Sequence, residues 1–111
     1  MPDSYYDPDG LKQFAAIGEE APELWAKFYD WYNSVFQEGA LTKREKALIG
    51  LSVAHAVQCP YCIDAYSRSC LETGSNAEQM TEAVHCAAAI TGGATLVHGV
   101  QMRQHVHDLS M

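Results

Sequence analysis

Cys59-Pro60-Tyr61-Cys62 sets two thiols three residues apart, a spacing that serves either as half of a metal clip or as a dithiol that closes into a disulfide and reopens. The surrounding residues favour the redox use. Pro60 must end the helix arriving through residues 47–58, because the residue before a proline is pushed out of the helical region, and it suits the first position of a new helix. Cys59 is then expected near an N-cap and Cys62 in the first turn. There, unpaired backbone N–H groups and the helix dipole favour a thiolate over a thiol. His55, in the last turn of the arriving helix, is stabilised in its charged form and can take a thiol proton or hold the thiolate. Tyr66 follows Cys62 by four residues on the same helical face, so its hydroxyl can donate to a thiolate or sulfenate at that sulfur. Glu45 supplies a carboxylate at the start of the arriving helix.

Each of these residues also has a plainer use: His55 as a satisfied core histidine, Tyr66 as a packing residue, Glu45 as a helix cap. A zinc site needs two more ligands, and the chain offers no second C-x-x-C and no H-x₃₋₅-H pair. No metal and no cofactor are therefore expected. Cys70 and Cys86 fall on the interior faces of helices by pattern and are expected to be small buried hydrophobes, although Cys70 lies two turns after Cys62 on a similar face and has the position of a resolving thiol. His105 and His107, two apart, fall on different helical faces, which makes a metal site in the tail weak.

The elements that must position this site read as helices throughout. The first ten residues hold two prolines, a glycine and three aspartates and read as an arm; residues 11–111 form a single helical domain. A short helix over 11–17 stops near Gly18. Pro22 suits the first turn of a longer helix, whose Leu24, Trp25, Phe28, Tyr29, Trp31, Tyr32, Val35 and Phe36 sweep about 160° of the wheel, against about 100° for an ordinary surface helix. So broad an aromatic face either fills a small core or meets another copy of the chain. Gly39 breaks that helix, and Thr42 with Glu45 forms an S/T-x-x-E capping box for the next. From Ala47 onward that next helix is apolar on all sides, which places it at the centre of the fold, and Gly50 lets a neighbouring backbone approach. After the Pro60 helix, a stop at Gly74 and a second capping box at Ser75 and Glu78 open a helix rich in small apolar residues. Gly92-Gly93 is expected to break it before a last helix through Leu96, Val97, Val100 and Met102 that frays at His105. No alternating strand pattern occurs, so the fold class is all-α, with about six helices.

Global properties bound the function. The 111 residues fit one domain, with little hydrophobic core to spare. Fourteen acidic against seven basic residues give a net charge of −7, which argues against nucleic acid and anionic membrane surfaces as partners. No apolar run approaching the roughly 20 residues of a bilayer span is read from the sequence, and the first residues lack a signal-peptide pattern, so a cytoplasmic location is expected. Thiols there are kept reduced, which turns a C-x-x-C toward catalysis or metal rather than a structural framework.

Arg44-Glu45-Lys46-Ala47-Leu48-Ile49 with its apolar helix, then C-P-Y-C-I-D-A-Y, a glycine stop, a second capped helix and a small-residue run to Gly92-Gly93 resemble the carboxymuconolactone decarboxylase and alkyl hydroperoxidase D (AhpD) superfamily. The stretches from Ala54 to Tyr66 and from Leu96 to Met102 look like the subgroup described as arsenosugar-biosynthesis-associated peroxidase-like proteins. The resemblance implies an AhpD-like helical fold, assembled as a homo-oligomer (a trimer or hexamer), whose dithiol reduces hydroperoxides. It implies that Cys62 attacks the peroxide, that Cys59 closes the disulfide, and that a dithiol donor such as a lipoyl group or a thioredoxin-like protein reopens it. Peroxidase members of the family also use a glutamate and a histidine as a proton relay, and here the chain departs. The glutamate position falls on Ala47 and the histidine position on Tyr66. Glu45 and His55 are candidates for a relocated relay, but ten residues of one helix separate them by about 15 Å, so within one chain they cannot touch. Two other functions fit the same residues: decarboxylase-like or isomerase-like chemistry on a small organic acid, and a non-enzymatic thiol or arsenical binder in which Cys59, Cys62 and Cys70 clasp a soft ion.

Overall fold

Thr42 and Glu45 form the reciprocal cap that their spacing predicts. Thr42 Oγ1 accepts the Glu45 N–H at 3.1 Å while Glu45 Oε1 accepts the Thr42 N–H at 2.8 Å, satisfying two donors the helix leaves open. The helix they start, Lys43–Ala56, is the second of four α-helices in the computed structural model, which describes residues 14–111. A 3₁₀-helix over Phe14–Glu19 precedes α1 (Pro22–Val35); α2 is Lys43–Ala56, α3 Pro60–Glu72 and α4 Ala77–Ser110. The expected arm and residues 11–13 of the expected 11–17 helix lie outside the described residues, which contain no strand, and residues 14–17 form part of the 3₁₀-helix.

Helix α2 packs against both α3 and α4, so it is central as expected. Ala47, Gly50, Leu51 and Ala54 bury one of its faces, and Cys70 of α3 joins Ala47 and Leu51 in the core. Its apolar character all round does not mean burial all round. Ile49, Val53 and Val57 on another face are 49%, 53% and 66% exposed, and this face borders the dithiol.

Two matching joints turn the chain into and out of α3. Past α2, the Gln58 N–H donates to His55 O at 3.1 Å and the Cys59 N–H to Ala54 O at 3.0 Å, the paired bonds of a Schellman motif. Gln58 accordingly sits in the left-handed region at φ 56°. Past α3 the same bonds run from Gly74 to Leu71 O and from Ser75 to Cys70 O, with Gly74 at φ 94°. A glycine carries the second joint without steric cost, whereas Gln58 bears the left-handed penalty of about 1–2 kcal/mol. Gln58→Gly is therefore expected to raise stability by up to about 1 kcal/mol, read as a higher urea midpoint, and Gly74→Ala to lower it.

Three expectations are corrected. The second capping box uses Asn76 and Gln79, with Gln79 N–H to Asn76 Oδ1 and Asn76 N–H to Gln79 Oε1 both at 2.9 Å. Ser75 is already engaged in closing α3, so the first residue able to cap α4 is Asn76. Gly92-Gly93 does not break α4, which runs unbroken for 34 residues to Ser110, through His105 and His107. Two glycines cost about 1 kcal/mol each against alanine but keep their N–H donors, unlike a proline. Four α-helices among the described residues thus replace the expected six. The uninterrupted α4 is also long and apolar enough to cross a bilayer by length and composition, a property hidden when it is read as two pieces.

Much apolar surface is uncovered. Ile90, Leu96, Val97 and Val100 of α4 are each about two-thirds exposed or more, as are Leu24 and Trp31 of α1. The radius of gyration, 18.7 Å, compares with about 13 Å for a compact domain of this length.

Candidate functional site

Pro60 opens α3 and Cys59 is its N-cap. Cys59 Sγ takes the place of a capping oxygen, accepting the Cys62 N–H at 3.3 Å, and the two cysteines are joined as a disulfide with their Cα atoms 5.2 Å apart. The proline and the left-handed Gln58 together fix this geometry: one starts the new helix, the other aims the chain into it.

The two sulfurs face different surroundings. Cys62 lines an apolar cavity of about 260 Å³ floored by Ile49, Val53 and Val57 of α2 and walled by Phe36, Tyr32 and Tyr66. Cys59 is not part of that lining. The uncovered face of α2 is thus the floor of a cavity that opens onto one thiol of the pair.

Tyr66 is held from three sides. Gly50 lies so close that a Cβ there would fall 2.6 Å from its Cδ1. The ring of Phe36 lies 5.1 Å away, centroid to centroid, and the Tyr66 hydroxyl is hydrogen-bonded to that of Tyr32. Burial, reinforced by the Tyr32 hydroxyl, raises the Tyr66 phenol well above the ordinary tyrosine range. It remains a donor at physiological pH and cannot serve as the base that takes a thiol proton. Tyr32 was read from the sequence only as part of the aromatic stripe. The stripe is a ladder of rings, with Phe28–Tyr32 at 5.6 Å and Tyr32–Phe36 at 5.3 Å, and it delivers Tyr32 to the site.

A second cavity, of about 430 Å³, shares Tyr32, Phe36 and Tyr66 with the first and adds polar groups: Gln37, Lys43, Ser69, Glu72 and Thr73. The tyrosine pair therefore borders both an apolar space at Cys62 and a polar one.

His55 stands in the last turn of α2 with Nδ1 2.8 Å from Leu51 O. In the tautomer that lets Nδ1–H donate to this carbonyl, Nε2 is left as an acceptor. His55 does not line the cavity at Cys62. Glu45 sits at the other end of α2, exposed, its carboxyl held below the ordinary range chiefly by the Thr42 N–H. The structure thus brings Cys62 and Tyr66 to one cavity with Cys59 bonded to Cys62 outside its lining, keeps His55 on the turn before them, and leaves Glu45 as a cap. Cys70 is fully buried, as expected, and burial pushes its thiol up. Cys86 is exposed, contrary to the expectation for a small apolar residue: it lines an open cavity of about 230 Å³ between α4 and Ser52, Val53 and Ala56 of α2.

The comparisons follow the same outline. The profile of the Carboxymuconolactone decarboxylase family matches residues 22–102. The chain is 44% identical over 90 residues to "Uncharacterized protein 4 in cox locus" of Paracoccus denitrificans, covering 78% of this chain and 81% of that protein. Among solved structures, it is similar to a protein from Methanobacterium thermoautotrophicum, with TM-score 0.72 and 33% identity over 76% of this chain and 94% of that one. It is also similar to a carboxymuconolactone decarboxylase family protein from Legionella pneumophila, solved in its apo form, with TM-score 0.68 and 32% identity over 83% and 82% of the two chains. A match extending from the first turn of α1 into the second half of α4 leaves no ambiguity of descent: the chain belongs to the carboxymuconolactone decarboxylase family.

Proposed function

We propose that the chain is a thiol-dependent peroxidase of the AhpD type, a dithiol–disulfide oxidoreductase working through Cys59 and Cys62. The observation that carries this reading is the asymmetry of the pair. Cys62 faces an apolar cavity edged by the Tyr66 ring, while Cys59 stands at the helix cap bonded to it. A Cys62 thiolate attacks the terminal oxygen of a hydroperoxide, the O–O bond breaks, and the sulfur becomes a sulfenic acid while the departing alkoxide takes up a proton. The Cys59 thiolate then attacks the Cys62 sulfur, forming the disulfide as hydroxide leaves and is protonated to water. A dithiol donor, lipoyl or thioredoxin-like, returns two electrons by thiol–disulfide exchange.

Decarboxylase-like or isomerase-like chemistry on a small organic acid fits the cavity at Cys62 less well, because its apolar and phenolic walls offer no cation to a carboxylate. A soft-ion clasp by Cys59, Cys62 and Cys70 is disfavoured because Cys70 is packed with Ala47 and Leu51 in the core.

The working form is proposed to be a homo-oligomer in the cytoplasm. What supports this is the run of large apolar side chains left exposed on the aromatic face of α1 and the outer half of α4, the kind of surface that marks an interface. His85, His98 and Gln101 along α4 suit a protein partner better than lipid.

The test is mass measurement of the reduced chain before and after one equivalent of an organic hydroperoxide. The expected result is loss of two hydrogen atoms, mapped to a Cys59–Cys62 peptide and reversed by a dithiol. Unchanged mass, or oxidation confined to Cys86, would reject the reading.

A further inference from the structure

Resting on the peroxidase reading, we propose that Tyr32 is a positioning residue for that chemistry, and that the Tyr32–Tyr66 hydroxyl pair carries a proton from the polar cavity to the oxygen that leaves from the peroxide at Cys62. Three observations converge on this. The two hydroxyls are hydrogen-bonded to each other. Both side chains line the cavity onto which Cys62 opens, and both also line the polar cavity bearing Lys43, Ser69 and Glu72. The positions at which the family resemblance calls for a relay hold Ala47 and Tyr66, so another proton source is needed.

The chemistry balances. As the Cys62 thiolate bonds to the terminal oxygen, the other peroxide oxygen leaves as an alkoxide, a stronger base than any phenolate. Tyr66 gives it a proton, Tyr32 gives its own to Tyr66, and water in the polar cavity restores Tyr32. Burial that keeps Tyr66 protonated suits a donor and not a base. Tyr32 also sets the direction of the Tyr66 hydroxyl, with the Phe28 and Phe36 rings 5.6 and 5.3 Å from its own, so removing its hydroxyl leaves the ring stack in place.

The test compares two oxidants that differ in whether the departing oxygen needs a proton. tert-Butyl hydroperoxide expels an alkoxide; peracetic acid expels a carboxylate, which leaves without one. Reduced protein is mixed with each under single-turnover conditions and disulfide formation is followed by quenching and mass measurement. Tyr32→Phe is expected to slow the alkyl hydroperoxide about 10-fold and Tyr66→Phe about 100-fold, within the usual range for general acid catalysis. Each variant should leave the peracid within about two-fold, and the double variant should match Tyr66→Phe alone, as members of one unit do. Equal slowing of both oxidants by Tyr32→Phe, or no slowing of either, overturns the proposal and leaves the peroxidase reading standing. Failure of the wild-type chain to oxidise Cys62 with either oxidant overturns that reading. The wild-type chain gives an independent check that needs no variant. Its rates across hydroperoxides should depend less on leaving-group basicity than those of free dithiothreitol; an equally steep dependence overturns the proton route.

Discussion

A Cys62→Ser chain given one equivalent of hydroperoxide is expected to lose at least about 1,000-fold in its rate of oxidation within the Cys59–Cys62 pair, although it keeps the thiol at the helix cap. A Cys59→Ser chain is expected to react at nearly the wild-type rate once, and then to hold a sulfenic acid on Cys62, trapped by dimedone and seen as one added oxygen. The two sulfurs are not equivalent, and two effects pull in opposite directions. The helix N-terminus favours Cys59 as thiolate, because its sulfur takes the Cys62 N–H at 3.3 Å in the manner of an N-cap oxygen and lies on the positive end of the α3 dipole. Access favours Cys62, the sulfur that opens onto the cavity. For attack on an organic hydroperoxide, access decides. A lowered pKa raises the thiolate fraction by at most the factor separating it from the ambient pH, and it also weakens the nucleophile; a cavity that holds the organic part of the substrate against one sulfur orients the attack there.

The capped position of Cys59 then acquires a role in the second step. On the peroxidase reading, a thiol that the helix N-terminus favours as thiolate is placed to attack the Cys62 sulfenic acid when it forms, ahead of further oxidation to the irreversible sulfinic acid. The same lowered basicity makes Cys59 the better leaving group when a dithiol donor attacks Cys62 to reopen the disulfide. If Cys62→Ser is instead oxidised at Cys59 as fast as the wild type, the assignment of roles is reversed and the cavity is not the substrate's route.

The parts of this arrangement that were legible in the sequence are those dictated by a covalent constraint or a local hydrogen bond. Pro60 lacks an N–H and restricts its predecessor, so the start of α3 and the cap position of Cys59 followed from it. Thr42 and Glu45 are three apart with complementary donors and acceptors, and their cap formed as expected. Gly92-Gly93 misled because a glycine pair lowers helix propensity by an amount that neighbouring turns outweigh; Thr91 and Thr95 even return hydrogen bonds to Ala87 O and Thr91 O within the unbroken helix. The cap of α4 slipped by one residue because Ser75, attractive as a cap by type, was needed to close the preceding joint. Tyr32 was illegible for a different reason. Its partner Tyr66 is 34 residues away, and helical spacing rules see only neighbours within one helix.

Gly50→Ala is expected to destabilise the fold by about 1–2 kcal/mol even though the same change in an exposed helix gains up to about 1 kcal/mol. The decision lies with Tyr66. A methyl group on residue 50 would meet Tyr66 Cδ1 at 2.6 Å and Cε1 at 2.8 Å, closer than carbon atoms pack. The ring can yield only into the cavities it borders, and doing so draws it off Phe36, now at 5.1 Å, and off the Tyr32 hydroxyl to which its own is tied. Relief comes only by parting α2 from α3 or by breaking the hydroxyl pair. Overpacking of this kind costs about 1–3 kcal/mol, and a hydroxyl left unpaired in a half-buried setting costs about 1–3 kcal/mol more where it is lost. The sum exceeds the propensity gain. Urea unfolding at one fixed protein concentration checks the sign, and the concentration must be held because the exposed faces of α1 and α4 invite association. A double-mutant cycle isolates the cause. In a Tyr66→Ala background the clash is gone, so Gly50→Ala should turn from destabilising to stabilising, by up to about 1 kcal/mol. A Gly50→Ala chain as stable as its parent, or one whose loss persists without the Tyr66 ring, would show that the close approach at Gly50 does not hold Tyr66 in place, and the geometry of the donor beside Cys62 would need another origin.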